Sequence, residues 1–224
     1  MHSILHIDML DNILHKNYAE MLSSAMERNL LRLSDFPDKE LEEYCEVQDA
    51  DIVLFSVDNS TRIVQRALNA SRSLRIPYIF ITSTMQELRL PKRVLLPVTM
   101  LEEEVYKAQV AGTFVRRLGC EVSILVAHDY GSKARINADK INTALQQTNA
   151  QVVIEQAEKD SFHILNEVVD RLKNNADDLV FLTASRDYGL DDIIFGPPER
   201  KVIRQSIVPV MLVSPRDDLF SLCD

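Results

Sequence analysis

From Arg93 onward, short apolar runs alternate with stretches of helical periodicity, and this alternation restricts the fold more than any other feature. Val94 to Val98, Glu121 to Ala127, Gln151 to Glu155, Leu179 to Leu182 and Val208 to Val213 read as strands, mostly of the fully buried type. Between them, Leu101 to Leu118 carries apolar residues at Leu101, Val105, Ala108, Val115 and Leu118, a helical stripe. Glu102, Glu103 and Glu104 in its first turn and Arg116-Arg117 in its last suit the helix dipole, and Gly119 supplies a stop. Ser132 to Gln147, the stripe Ile164, Val168 and Leu172, and the short segment Glu199 to Gln205 are further helices. Strands joined through helices of this length need right-handed crossovers. The expected fold class is therefore α/β: a parallel five-stranded sheet with helices on both faces.

The first ninety residues are less regular. Ile4 to Ile7, Asp51 to Ser56 and Pro77 to Ile81 read as strands, and Asp11 to Asn29, Asp38 to Val47 and Ser60 to Leu74 as helices. Gln86 to Lys92 reads as a polar connection. The expected division is a smaller α/β unit over 1–90 and a complete one over 91–224. Asp51-Ile-Val-Leu-Phe-Ser56 echoes Asp178-Leu-Val-Phe-Leu-Thr183, and Pro77-Tyr-Ile-Phe-Ile81 echoes Pro209-Val-Met-Leu-Val213. Either two βαβ units simply look alike, or this is a tandem chain whose first copy has lost its middle strands.

A formal charge of −9 and a pI near 5.1 argue against nucleic acid as the main partner, because phosphate backbones need a basic footprint. The three cysteines, Cys45, Cys120 and Cys223, are widely spaced and odd in number, which points to reduced thiols in a cytoplasm. Neither a signal peptide nor a membrane span is expected.

Loops at the carboxyl ends of parallel strands bind ligands. Leu179 to Thr183 is followed by the loop Ala184 to Gly196 and then by Ile203 to Val213. Together with Arg93-Val-Leu-Leu-Pro-Val98, these segments resemble the universal stress protein (UspA-like) family. The resemblance implies an adenine-nucleotide alpha-hydrolase-like fold with strand order 3-2-1-4-5 and the fifth strand at an edge. Family members that bind ATP share G-x2-G-x9-G-[S/T] after the fourth strand. Glycines admit the phosphates to the backbone, and amides with a hydroxyl at a helix start hold them. Registered on Gly196, this chain offers Thr183, Arg186, Gly196 and Pro197. One glycine of three survives, and a proline without an amide donor replaces the hydroxyl. The family's acidic residue after the first strand falls on Thr99, and Ala127 with His128-Asp129 falls on the adenine side.

The resemblance thus implies a non-catalytic regulatory or stress-response protein with a degenerate nucleotide loop and weak or absent ATP binding. Alternatives are a protein that holds ATP or AMP through a remodelled loop, with Arg186 pairing with phosphate, and a nucleotide-hydrolysing enzyme. An unknown protein partner is expected, with the Pro77 to Ile81 and Val208 to Val213 strands pairing either within one chain or across a homodimer. Two further places carry polar residues at strand ends. His6-Ile-Asp8 reads as a polar terminus more readily than as a tuned histidine, and Asp58-Asn59-Ser60-Thr61 reads as a helix cap. No G-x-S-x-G elbow, Walker loop, H-E-x-x-H or clustered metal ligands occur, so no reaction is indicated.

Overall fold

The computed structural model describes residues 2–37, 40–174, 177–185 and 197–215. Among the described residues, nine strands form one sheet: β1 (Ser3–Asp8), β2 (Asn29–Leu33), β3 (Ala50–Val57), β4 (Tyr78–Thr82), β5 (Arg93–Val98), β6 (Glu121–Val126), β7 (Val152–Gln156), β8 (Leu179–Thr183) and β9 (Val210–Val213). Their order across it is β2-β1-β3-β4-β9-β8-β5-β6-β7. The described helices are α1 (Ile13–Ala25), α2 (Leu41–Val47), α3 (Thr61–Ala70), α4 (Lys107–Leu118), α5 (Lys133–Gln146), α6 (Ile164–Leu172) and α7 (Pro198–Gln205). Every neighbouring pair of strands runs parallel except β4 and β9.

The α/β reading holds. Taken alone, β7-β6-β5-β8-β9 reproduces the order 3-2-1-4-5. What the structure corrects is the place of the last strand. β9 was expected at an edge, yet it lies inside the sheet with β8 on one side and β4 on the other. Tyr78, Ile79 and Phe80 pair antiparallel with Leu212, Met211 and Val210, so one apolar edge covers another. A fully buried edge exposing unpaired amides and carbonyls invites association, and this pairing removes both edges at once. Of the two pairings open at the sequence level, the one within the chain is observed.

Burial follows position. β1, β4 and β9 are buried throughout, as their Ile, Val, Leu and Phe content requires beneath helices on both faces. The outer strands β2 and β7 are half exposed. β2 was not anticipated. The helix expected over Asp11 to Asn29 stops at Ala25, and Glu27 turns the chain at φ 56 into β2. Left-handed turns are normally signalled by glycine or asparagine, so a glutamate there hides the boundary. At α4 the signal is the usual one, with Gly119 at φ 66 closing the helix.

The connection before β5 is firmly held. Met85 and Leu88 are buried in it, and the Asp178 carboxylate accepts from the Lys92 and Arg93 amides at 2.9 and 3.1 Å and from Arg89 Nε at 2.7 Å. That clamp ties the connection to the base of β8.

Candidate functional site

The chain leaves β5 toward β6 and β7 and returns to β8 on the opposite side of β5. Such a reversal opens a crevice at the carboxyl ends of the two strands, the place where open α/β sheets take ligands. Thr99 follows β5 and Thr183 ends β8, so two of the residues singled out in the sequence meet there.

They meet around a carboxylate that the sequence reading had not singled out. The segment expected as one helix from Leu101 divides into a 3-10 turn, Glu102–Tyr106, and then α4. The turn sends Glu104 inward. Thr99 Oγ1 donates to Glu104 Oε1 at 2.5 Å, and Thr183 Oγ1 donates to Oε2 at 2.9 Å. Lys107, three residues on, completes an ion pair with Glu104, and its ammonium also donates to the Pro97 carbonyl. Glu104 is 4% exposed and Lys107 1%, so both charges are withdrawn from water and satisfied by each other and by the strand ends. A sequence signal did exist: Glu104 and Lys107 stand four residues before the buried Ala108 and Ala111, on the core face of the helix.

The surrounding loops are tied down as well. Asn137 Nδ2 donates to the Thr99 and Leu101 carbonyls at 3.1 and 2.8 Å. Asp129 accepts from Ser161 N at 2.8 Å and Oγ at 2.5 Å, and Ser161 Oγ accepts from the Met100 amide at 2.9 Å. Ala127 is buried; its amide donates to Val98 and its carbonyl accepts from Gln156 Nε2. It packs the wall and presents no polar atom.

On the far side of β8, Pro197 precedes α7 and Pro198 opens it. Two successive prolines remove two of the amides that a helix start offers to an anion. Glu199, buried in the first turn, accepts from Ser185 Oγ at 2.9 Å and from Ser185 N at 3.3 Å, bringing a second carboxylate to this rim. Arg186 and Gly196 lie outside the described residues. Among the described residues, no group of histidine, cysteine and carboxylate side chains is placed to hold a metal ion.

A second reversal occurs between β1 and β3. There His6 Nε2 and Ser56 Oγ are 2.7 Å apart and both residues are buried, as are Asp8 and His15. His6 Nδ1, Asp8 Oδ2 and both ring nitrogens of His15 have no hydrogen-bond partner of good geometry, although the Thr82 backbone acts on His15. Burial pushes the His6 pKa down to about 4, with Asp8 opposing. His15 is lowered for the same reason. His6-Ile-Asp8 is thus a buried polar cluster, more than a strand terminus. At the start of α3 the cap differs from expectation: Ser60 makes no side-chain cap, and Asp58 Oδ1 instead accepts from the Ser60 amide at 2.8 Å.

Both cysteines described are buried, and burial pushes the Cys45 thiol up to about 12 and Cys120 up to about 11, so neither offers a thiolate. No helix among the described residues is long and apolar enough to cross a membrane.

No protein-family model and no curated protein matches the sequence. Solved structures do match. A universal stress protein from Archaeoglobus fulgidus is similar over 96% of this chain and 87% of its own, at 14% identity and a TM-score of 0.64. A Pseudomonas aeruginosa protein described as a universal stress protein matches over 96% and 83%, at 11% identity and a TM-score of 0.57. A second P. aeruginosa protein, of unknown function, matches over 96% and 82%, at 11% identity and a TM-score of 0.54. These likenesses extend over nearly the whole chain, the first four strands included, and at this identity they concern architecture. The chain has the universal stress protein fold.

Proposed function

We propose that this is a non-catalytic, universal-stress-protein-like regulatory protein whose nucleotide crevice has become a structural joint. The observation that carries the reading is the Glu104 carboxylate. It takes both threonine hydroxyls and the Lys107 ammonium at the strand ends where a nucleotide would find its hydroxyl and cationic partners. A phosphate entering beside Glu104 and Glu199 would meet two buried carboxylates, and would have to draw Lys107 away from one of them. Pro197 and Pro198 weaken the helix start that would otherwise compensate.

In this reading the chain divides into units over 1–90 and 91–224, and the β4–β9 seam acts as an internal pseudo-dimer interface. The physiological partner is then a protein met at the outer surfaces, and the protein works as a cytoplasmic adaptor in a stress response. Isothermal titration with ATP, AMP and magnesium, beside a thermal-shift series with the same ligands, tests this directly, because a ligand held only by the folded state raises its stability. The expected outcome is no saturable heat and no shift. Micromolar ATP affinity would overturn it and favour the remodelled loop. Arg186→Ala would then be expected to weaken binding by about 1.5–3 kcal/mol, the worth of a charge-assisted bond.

A further inference from the structure

We propose that the amino-terminal edge of the sheet, opposite the crevice, carries a binding site for a small polyanion such as a phosphorylated metabolite. The inference goes beyond the regulatory reading and does not depend on it. A groove of about 890 Å³ opens where β5, β6 and β8 begin, within the usual range for small-molecule sites. Arg89, Lys92, Arg93 and Arg116 line it. Among the described lining residues, only two carboxylates oppose these four cations. Asp178 pairs with Arg89 at 2.6 Å, and Glu121 pairs with Arg93 at 3.0 Å. The charge of Asp178 is further spread over the Lys92 and Arg93 amides.

Lys92 and Arg116 are left as the uncommitted charges. The Lys92 ammonium has no bond or ion pair among the described residues, and Arg116 reaches only the Thr113 hydroxyl, at 3.1 Å. The groove therefore carries a net positive charge on a chain whose overall charge is −9. That is the reverse of what a surface selected only for solubility would place there. Asn149 and Gln151 add neutral amide groups to the lining. Gly119 at φ 66 and Asn149 at φ 56, both in the lining, are left-handed turns of the backbone. Cationic side chains together with amide groups in a groove of this size suit a compact ligand with two or more negative charges. A hydrophobic ligand would leave the cations unpaired. A long nucleic acid would meet an otherwise acidic surface.

The test uses pyrophosphate, which carries no base and so does not call on an adenine pocket. Calorimetry on the full chain is run at low and at raised salt. Saturable binding that weakens with salt is expected, because the contact is electrostatic. Lys92→Ala combined with Arg116→Ala should weaken it by about tenfold or more, the equivalent of one lost charge-assisted bond. Both side chains are exposed, so the fold should be retained, which circular dichroism checks. Lys140→Ala removes an exposed cation elsewhere, on α5, and should leave binding unchanged. Glu104→Gln in the crevice should also leave it unchanged, which separates this site from the proposed function. Absence of binding to the wild type overturns the proposal. So does equal weakening in Lys140→Ala, or binding that survives the double substitution.

Discussion

Replacing Lys107 with methionine should destabilise the protein although it barely changes the side-chain volume. The substitution keeps the stem of the side chain and removes the ammonium, leaving the Glu104 carboxylate buried without its counter-charge. Breaking a buried pair from one side costs about 3–5 kcal/mol. Here the lower end applies, because Thr99 and Thr183 still donate to both carboxylate oxygens. The Pro97 carbonyl also loses a donor, which offsets part of that relief. The working figure is about 3 kcal/mol, or roughly 6–12 °C in melting temperature for a chain of this length. Glu104→Gln with Lys107→Met removes both charges together, so no buried ion is left without its counter-charge. The double variant should therefore be more stable than Lys107→Met alone, with a coupling of about 2 kcal/mol in a urea-denaturation cycle. If Lys107→Met melts with the wild type, or if the two substitutions are additive, the pair does not hold the strand ends and the closed-crevice reading fails with it.

The buried histidines set a pH dependence. His6 titrates at about 4 in the fold and near 6.5 when unfolded, with Asp8, Arg32, His15 and Lys16 as the charged or titratable groups acting on it. The unfolded chain thus binds the extra proton between those values. This contribution is fully present above pH 6.5 and is lost as pH falls toward 4, at most by roughly 3 kcal/mol. His6→Gln should flatten the slope of denaturation midpoint against pH in that window, and a slope left intact in His6→Gln and His15→Gln variants would refute the assignment. At the seam, the wild type should run as a monomer in light scattering, and Met211→Lys should unfold the protein, because Met211 is fully buried opposite Ile79. A folded Met211→Lys monomer derived from a wild-type dimer would show that the strand pairs between chains instead.

Much of the chain from Arg93 onward is legible because its signals are redundant. From β5 to β9 each strand is an apolar run bounded by charge, proline or glycine, and the longer helices add an apolar stripe. The first ninety residues blur where that redundancy fails. β2, Asn29–Leu33, is a half-exposed outer strand reached through a left-handed glutamate, so neither period nor punctuation marks it. The site shows the same contrast. Thr99 and Thr183 were found because the family pattern points at their positions, and the structure brings them onto one carboxylate. Glu104 was passed over because a glutamate in a first helical turn already has a sufficient explanation in the dipole. Only the 3-10 turn, which swings it inward, gives it another role.

The seam follows from the same physics that made the strands readable. A strand buried on both faces has no polar side chain with which to protect an edge, so Pro77 to Ile81 and Val208 to Val213 each demanded a partner. Within the sheet they partner each other, with β3 and β8 on their opposite sides. Pairing them antiparallel joins the two sets of parallel strands edge to edge and places α3 against α7. There Arg200 donates to Gln65 at 2.8 Å and Arg204 to the Asn59 carbonyl at 3.0 Å. The edges left to solvent are then β2 and β7, both half-exposed. A chain that satisfies its pairing surface internally has no remaining need of a second copy at β9, and its external contacts fall to helices and outer strands that the sheet itself does not prescribe.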